Sequence, residues 1–340
     1  MYKIRWNRVL ALSLAAGLLV LLVRGCAMAC RAGSADAEQL RAEPYTDRMI
    51  TVFDGDTGRV GEQSLETYLV GVVAAEMPAS FDEQALRAQA VAARTYTIYR
   101  AGRGGCGAHD ADVCTSSACC QAFASEQALR ARWGAAFGEN LERVAAAVRD
   151  TNGQVLCYDG KPIEALYHSA SGGYTEDSEN VFAAALPYLR AVESGQEIGS
   201  AHLSGTVSLS YAAFCDRVNA ACPEAGLKPD NLADQIEILG RTKSGRVTGI
   251  RLGGASMSGK ALRKLLSLDS TLFTITLTGG SIRFDTRGFG HGVGMSQTGA
   301  NAMGMAGYTY EQILLHYYTG TALRNVSELT GWADGGSAAP

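Results

Sequence analysis

Leu65-Glu66-Thr67-Tyr68-Leu69-Val70-Gly71-Val72-Val73-Ala74-Ala75-Glu76-Met77-Pro78 is an apolar stretch that delivers one carboxylate just ahead of a helix-breaking proline. Val72, Val73, Ala74, Ala75 and Met77 surround that carboxylate with apolar groups, which disfavours its charged form and makes Glu76 a candidate general acid. The competing physical reading is a helix-flanking carboxylate that satisfies backbone amides or pairs with an arginine. Downstream, Ser80 and Glu83 spell an S-x-x-E capping box, and Ala85, Ala88, Ala90, Ala92 and Ala93 carry a helix to Tyr99. Its alanines let another element approach closely. Upstream, Met49 to Phe53, the turn Asp54-Gly55-Asp56-Thr57-Gly58 and Arg59 onward predict a strand and hairpin.

The rest of the chain alternates the same two kinds of element. Residues 101–125 form a loop with four cysteines and one histidine, followed by a single helix over 125–150. Gln154 to Tyr158 and Ile163 to His168 predict short strands about Asp159-Gly160, leading into Ser169-Ala170-Ser171-Gly172-Gly173. A helix is expected over 207–220, a hairpin about Lys243-Ser244-Gly245, a helix from Ser258 to Leu266 and a second hairpin about Gly279-Gly280. Gly288-Phe289-Gly290-His291-Gly292-Val293-Gly294-Met295 then leads into a helix at Ser296, its alternate glycines permitting a backbone bent closely around a ligand. It lacks the G-x-G-x-x-G spacing of a dinucleotide site. Thr309 and Gln312 cap a last helix that Gly320 stops. The fold class is mixed α/β of the α+β kind, one large body or two intimate subdomains with a cleft.

Composition narrows the function. The 340 residues are 47% hydrophobic and 19% charged, an ordinary globular balance. A net charge of −4 supplies no cationic field for phosphates, so no nucleic-acid partner is expected. Lys3, Arg5 and Arg8 precede an apolar run from Val9 to Val23, shorter than the ~20 residues that span a bilayer comfortably. It reads as an export signal, with Ala27-Met28-Ala29 as a cleavage site, or as a single-pass N-terminal anchor; either leaves residues beyond about 35 outside the cytoplasm. The expected organisation is anchor or signal over 1–32, linker over 33–47, catalytic region over 48–325 with an inserted α+β subdomain at about 200–285, and a flexible tail over 326–340.

Five blocks occur in order: Tyr68 to Pro78, Ala88-Gln89-Ala90-Val91-Ala92-Ala93-Arg94-Thr95-Tyr96, His168 to Gly173, Pro187-Tyr188-Leu189, and Gly288 to Gln297. In these the sequence resembles the stage II sporulation protein D family and its amidase-enhancer relatives over roughly residues 48–325. The resemblance implies a membrane-anchored lytic transglycosylase that cuts peptidoglycan glycan strands stripped of stem peptides during sporulation engulfment, beside a peptidoglycan amidase and a polytopic membrane protein. It makes Glu76 the catalytic residue. One carboxylate suffices because the muramyl 6-hydroxyl of the substrate is the nucleophile, where hydrolytic glycosidases need two. Gln89 and Arg94 are expected to bond sugar hydroxyls, to hold Glu76 or to form a polar network at the edge of the core, and Tyr96 to stack on a sugar face or pack in the core. Tyr167, His168, Ser169, Gly172, Gly290, His291 and Gln297 complete the expected substrate contacts. A Ser169–His168 nucleophile pair is discounted, since adjacent strand residues point to opposite faces. A non-catalytic glycan-binding module that enhances an amidase is the alternative; a zinc-dependent peptidase or amidase ranks last, since no H-E-x-x-H occurs.

Of nine cysteines, Cys106, Cys114, Cys119 and Cys120 crowd one loop with His109. Disulfides are the default outside the cytoplasm, with Cys215 and Cys222 a local candidate pair. Some members of the family hold zinc at this place through a His, Cys, His-Cys arrangement. Carried over here, His109, Cys114, Cys119 and Cys120 are the expected ligands of a closed, structural Zn²⁺.

Overall fold

The computed structural model describes residues 47–195, 197 and 203–329. The expected leader, all of the linker but Asp47, Cys26 and Cys30, and the tail from 330 onward lie outside the described residues. Among the described residues no helix is long and apolar enough to cross a membrane. The fold is mixed α and β.

Strands β1 (Met49–Asp54) and β2 (Arg59–Ser64) form the expected hairpin, paired from Met49↔Ser64 to Asp54↔Arg59. The apolar stretch that follows is helix α1 (Leu65–Glu76), capped by Ser64, whose side chain accepts from the Thr67 amide. It buries Leu65, Tyr68, Leu69, Val72 and Val73 together, as a helix apolar on most sides must. Pro78 decides where it ends: Met77 takes φ −123° and ψ 143°, the extended conformation imposed ahead of a proline, so Glu76 is the last helical residue. Helix α2 (Glu83–Ala101) departs from expectation at its start. Asp82 is its cap, accepting from the Gln84 amide, and the Ser80–Glu83 box does not form. Asn301 accepts the Asp82 amide and fixes that residue as the cap.

The loop after α2 contributes β3 (Val113–Cys114), which pairs in parallel with β1. The single helix expected over 125–150 is two, α3 (Glu126–Trp133) and α4 (Phe137–Asp150). Gly134, at φ 53° and ψ −123°, breaks it with a backbone open only to glycine. Strands β4 (Gln154–Tyr158) and β5 (Lys161–Pro162) flank the Asp159-Gly160 turn, and the second predicted strand survives further on only as β6 (Tyr167–His168).

Residues 204–287 supply β7 (Ser204–Ser210), α5 (Tyr211–Ala221), β8 (Ile236–Arg241), β9 (Val247–Leu252), β10 (Ala255–Ser258), α6 (Gly259–Leu266), β11 (Phe273–Thr278) and β12 (Ser281–Arg287). They form two three-stranded sheets, β10-β9-β8 and β11-β12-β7. The helix expected from 207 begins only at Tyr211. Residues 204–210 alternate exposed and partly buried along β12, and Ser210 caps the helix. Phe214, Leu232, Ile250, Leu262, Phe273 and Phe284 anchor a hydrophobic cluster whose members all lie between Val207 and Phe284. The chain then returns through β13 (Met295–Ser296), α7 (Gln297–Met305) and α8 (Tyr310–Tyr317), the last closed by the expected Thr309–Gln312 box, to β14 (Ala322–Asn325) on β4.

Helix α2 touches α1, α4, α7, α8, β3, β4 and β5, and its alanines allow that close approach. Arg94 locks that centre. Its guanidinium, fully buried, donates from Nε and Nη2 to Glu66 at 2.8 and 2.6 Å, and to the carbonyls of Thr151, Gln154 and Val148 at 2.8, 3.2 and 3.1 Å. This corrects its expected role as a substrate contact, because every donor nitrogen is occupied inside the core. Arg94→Ala leaves Glu66 without its cation and takes one donor each from the carbonyls of Val148, Thr151 and Gln154. We expect it to cost about 3–5 kcal/mol in denaturant unfolding; a loss within the ~0.5 kcal/mol of a surface change refutes this role.

Candidate active site

A cleft of about 780 Å³ runs between the end of α1, the segment after Cys120, strand β6 and the glycine loop. Glu76 is the one carboxylate among the described residues that line it. Its Oε1 accepts the Ala122 amide at 2.8 Å and its Oε2 accepts Nε2 of Gln297 at 3.3 Å. Burial raises its pKa above the ordinary carboxylate value, and the bonds from Ala122 and Gln297, with the adjacent Tyr167 hydroxyl, only partly offset this.

The Ala122 amide reaches Glu76 because the 121–124 segment lies flat on α1. Phe123 stacks on Tyr68 with ring centroids 5.6 Å apart, and the Ala124 amide donates to the Gly71 carbonyl. A Cβ at Gly71 would stand 2.3 Å from the Phe123 ring, so glycine is needed for that approach. Gln121 then extends the network, donating to Thr97 Oγ1 at 3.0 Å and accepting from the Tyr167 hydroxyl at 2.7 Å.

Strand β6 pairs in parallel with β13, Met295↔Tyr167 and Ser296↔His168, and this two-residue ladder joins blocks more than a hundred positions apart. It puts Gln297 beside Glu76 and sets the Thr298 amide and hydroxyl on the Ser169 carbonyl. His168 holds Nδ1 3.2 Å from the Val293 carbonyl, so the acceptor assigns the proton to Nδ1; its buried Nε2 has no partner among the described residues. His291 is the opposite tautomer, since its Nδ1 accepts the Val293 amide at 3.0 Å. Burial, then the charges of Arg263 and Arg246, push its pKa down to about 4, and burial likewise depresses His168; both rings are neutral at pH 7.

Tyr96, Tyr167, His168, Ser169, Gly290, His291 and Gln297 therefore all line the cleft with Glu76. Three residues of the expected set do not. Arg94 belongs to the core. Gln89 is fully buried behind the cleft, where its Oε1 accepts from Gln297 at 3.4 Å, so it holds the residue that holds Glu76. Gly172 faces away, its amide donating to Glu197, which also accepts from Ser171, Ser194 and Ser296. His168 and Ser169 make no nucleophile pair, because Nε2 of His168 takes no hydrogen bond from Ser169. Sequence reasoning missed Gln121, Ala122, Arg263 and Glu197. Ala122 acts through its backbone, which carries no side-chain signal, and Glu197 belongs to none of the five blocks.

The cysteine loop also differs from expectation. Cys106, Cys114, Cys119 and Cys120 bring their sulfurs within 4.8 Å of one another. Cys106 takes the place expected for His109, whose ring stacks on Phe53 at 3.5 Å instead. The Cys106 amide donates to the Ala111 carbonyl, a bond that closes the loop and brings Cys106 back to the other three. All described cysteines are free, Cys215 and Cys222 included.

A protein-family profile described as Stage II sporulation protein matches residues 54–158. Stage II sporulation protein D of Bacillus subtilis (strain 168) is 35% identical over 298 residues, covering 87% of this chain and 84% of that protein. The chain belongs to the stage II sporulation protein D family. The family's protein from Bacillus amyloliquefaciens is 36% identical over 260 residues, covering 75% of this chain and 73% of that one. A more distant relative, the amidase enhancer of B. subtilis (strain 168), is 30% identical over 303 residues, covering 75% of this chain and 40% of that protein. The profile spans Glu76, Gln121, Ala122 and the four cysteines but not the glycine loop.

The raised pKa of Glu76 has a consequence for stability. The folded protein binds that proton more tightly than the unfolded chain, so ionised Glu76 costs stability at any pH above its ordinary value of 4.5. Glu76→Gln is expected to raise the thermal midpoint at neutral pH, with the gap closing as the pH falls below 4.5. Calorimetry across that range decides it; a gap independent of pH means that Glu76 is not desolvated.

Proposed function

We propose that this cleft cleaves peptidoglycan glycan strands by lytic transglycosylation, with Glu76 as both acid and base. The observation that carries this reading is a single desolvated carboxylate in the described cleft lining, aimed by a backbone amide and a glutamine. Glu76 gives its proton to the glycosidic oxygen as the bond to the muramyl anomeric carbon breaks. The resulting carboxylate removes the proton from the 6-hydroxyl of the same sugar while that oxygen closes on the anomeric carbon. The product is a 1,6-anhydro end, and no water is consumed. A tethered nucleophile removes the entropic cost of bringing in a second reactant, and proton transfer from a positioned group contributes about 10²- to 10⁴-fold. Gln297, whose Nε2 is spent on Glu76 and Gln89, offers its Oε1 as an acceptor for a sugar hydroxyl or an acetamido N–H. The alkaline limb of the rate profile should follow loss of the Glu76 proton and lie above the ordinary carboxylate range.

The protein would work outside the cytoplasm, anchored by its N-terminal segment, during sporulation engulfment. Its partners would be a peptidoglycan amidase that strips the strands and a polytopic membrane protein. The relative named amidase enhancer supports a link to amidase action, and favours as second reading a module that holds strands without cutting them. Wild type and Glu76→Ala, incubated with peptide-free strands, separate the two by mass spectrometry of the chain ends. Anhydro ends formed by wild type and lost in Glu76→Ala, with strand binding kept, are the expected result. Strands left whole by both proteins favour the binding module.

We assign the four cysteines to Zn²⁺. A tetrahedral site with Zn–S of about 2.3 Å spaces its sulfurs about 3.8 Å apart. Cys106 lies 3.3 Å from Cys119 and Cys120 3.9 Å from Cys119, so the set fits. Four thiolates close the site, which makes its role structural. It pins the chain two residues before the Ala122 amide that bonds Glu76. Cys114→Ser should lose the metal by elemental analysis, lower the thermal midpoint and reduce turnover by more than it weakens strand binding. Retention of a full equivalent of zinc by that variant refutes the ligand set.

A further inference from the structure

Beside the cleft lies a smaller cavity of about 190 Å³, and Arg263 and His291 line both. Its wall includes Arg246, which is 2% exposed. Nη2 of Arg246 donates to the Ser171 carbonyl at 2.7 Å, but Nε and Nη1 have no partner among the described residues. No carboxylate forms an ion pair with it among the described residues. Glu176, on the same wall, is already satisfied: Thr242 and Ser244 donate to its Oε2 at 2.6 Å each, and Asn180 and the Asp177 amide to its Oε1. Glu197 is likewise taken up by serines and a glycine amide. A buried guanidinium with two idle nitrogens is costly, and a bound anion relieves that cost.

The guanidinium is held where it is by the glycine loop, since a Cβ on Gly292 would lie 2.5 Å from its central carbon. Two further cations line the cavity. Arg263 donates Nε to the Leu268 carbonyl, and Lys260 reaches the Val181 carbonyl at 3.3 Å. Arg263 also feels Asp269, which does not line the cavity. His168 and His291 register the same field, both being held neutral in part by Arg246 and Arg263.

We propose that Arg246, Arg263 and Lys260 form a subsite for the carboxylate of a muramyl lactyl group, next to the cleft that holds the sugar chain. The inference rests on the glycan-cleaving reading above and names what in the substrate is recognised. Muramic acid carries a lactyl ether that ends in a carboxyl. With a stem peptide attached, that carboxyl is an amide: uncharged, and followed by a chain the cavity has no room for. Once the peptide is removed, it is an anion sized for the cavity. The subsite thus reads whether a strand has been stripped, through charge and space together.

The test uses the full chain carrying Glu76→Gln, so that strands bind without turnover. Three probes are titrated at low salt: stripped strands with free lactyl carboxylates, the same strands with those carboxyls converted to methylamides, and chitooligosaccharides, which lack the lactyl group. Stripped strands should bind at least tenfold tighter than methylamide strands. The difference should shrink severalfold in Lys260→Gln and Arg263→Gln, and disappear in Arg246→Gln. Should Arg246→Gln fail to fold, the exposed Lys260 still decides, together with loss of the advantage as salt is raised. Equal affinity for carboxylate and methylamide strands overturns the subsite and leaves the glycan reading standing. No binding of any of the three overturns both.

Discussion

A ladder of two residue pairs, Tyr167 to Met295 and His168 to Ser296, is the constraint on which the rest of the site depends. The short parallel pairing brings the segment after β5 and the start of α7 to one place. From it follow the position of Gln297 against Glu76, the clamp of Thr298 on Ser169, and the opposed tautomers of two histidines that share Val293. So short a ladder is stable only because its surroundings are bound independently. Arg94 ties α1, α2 and the α4–β4 junction together, and Glu197 gathers Ser171, Gly172, Ser194 and Ser296 on one carboxylate.

The raised pKa of Glu76 comes from burial against apolar surface, which one backbone donor only partly offsets. A carboxylate that accepted several strong donors would have its pKa lowered; Glu76 has one amide and a longer glutamine contact, and burial prevails. That amide is placed from two sides. Phe123 packs on Gly71 and Tyr68, and just before it Cys119 and Cys120 gather with Cys106 and Cys114. The cysteine loop therefore bears on Glu76 through the Ala122 amide that it carries.

Much of this was legible in the chain. Pro78 set the end of α1 and put Glu76 at its last residue, and Thr309 with Gln312 announced their helix. Local rules failed where several residues competed for one role. Ser80 and Asp82 both suit a helix cap, and the tertiary bond from Asp82 to Asn301 chose between them. His109 and Cys106 are both competent metal ligands, and stacking on Phe53 took the histidine away. Arg94 and Gln89 read as site residues because polar groups on an alanine-rich helix beside an acid invite that reading. Burial turned one into a core ion pair and the other into a support for Gln297.

The sequence alone determined the end of α1 at Glu76, the last helix box and the family, because helix ends, turns and blocks of residues are local and are written in neighbouring positions. Only the tertiary structure decided which groups surround that acid. The Ala122 amide, the free lone pair of His168, the fourth sulfur and the idle nitrogens of Arg246 arise from contacts between distant segments, and a chain read one position at a time records neither their distances nor their burial.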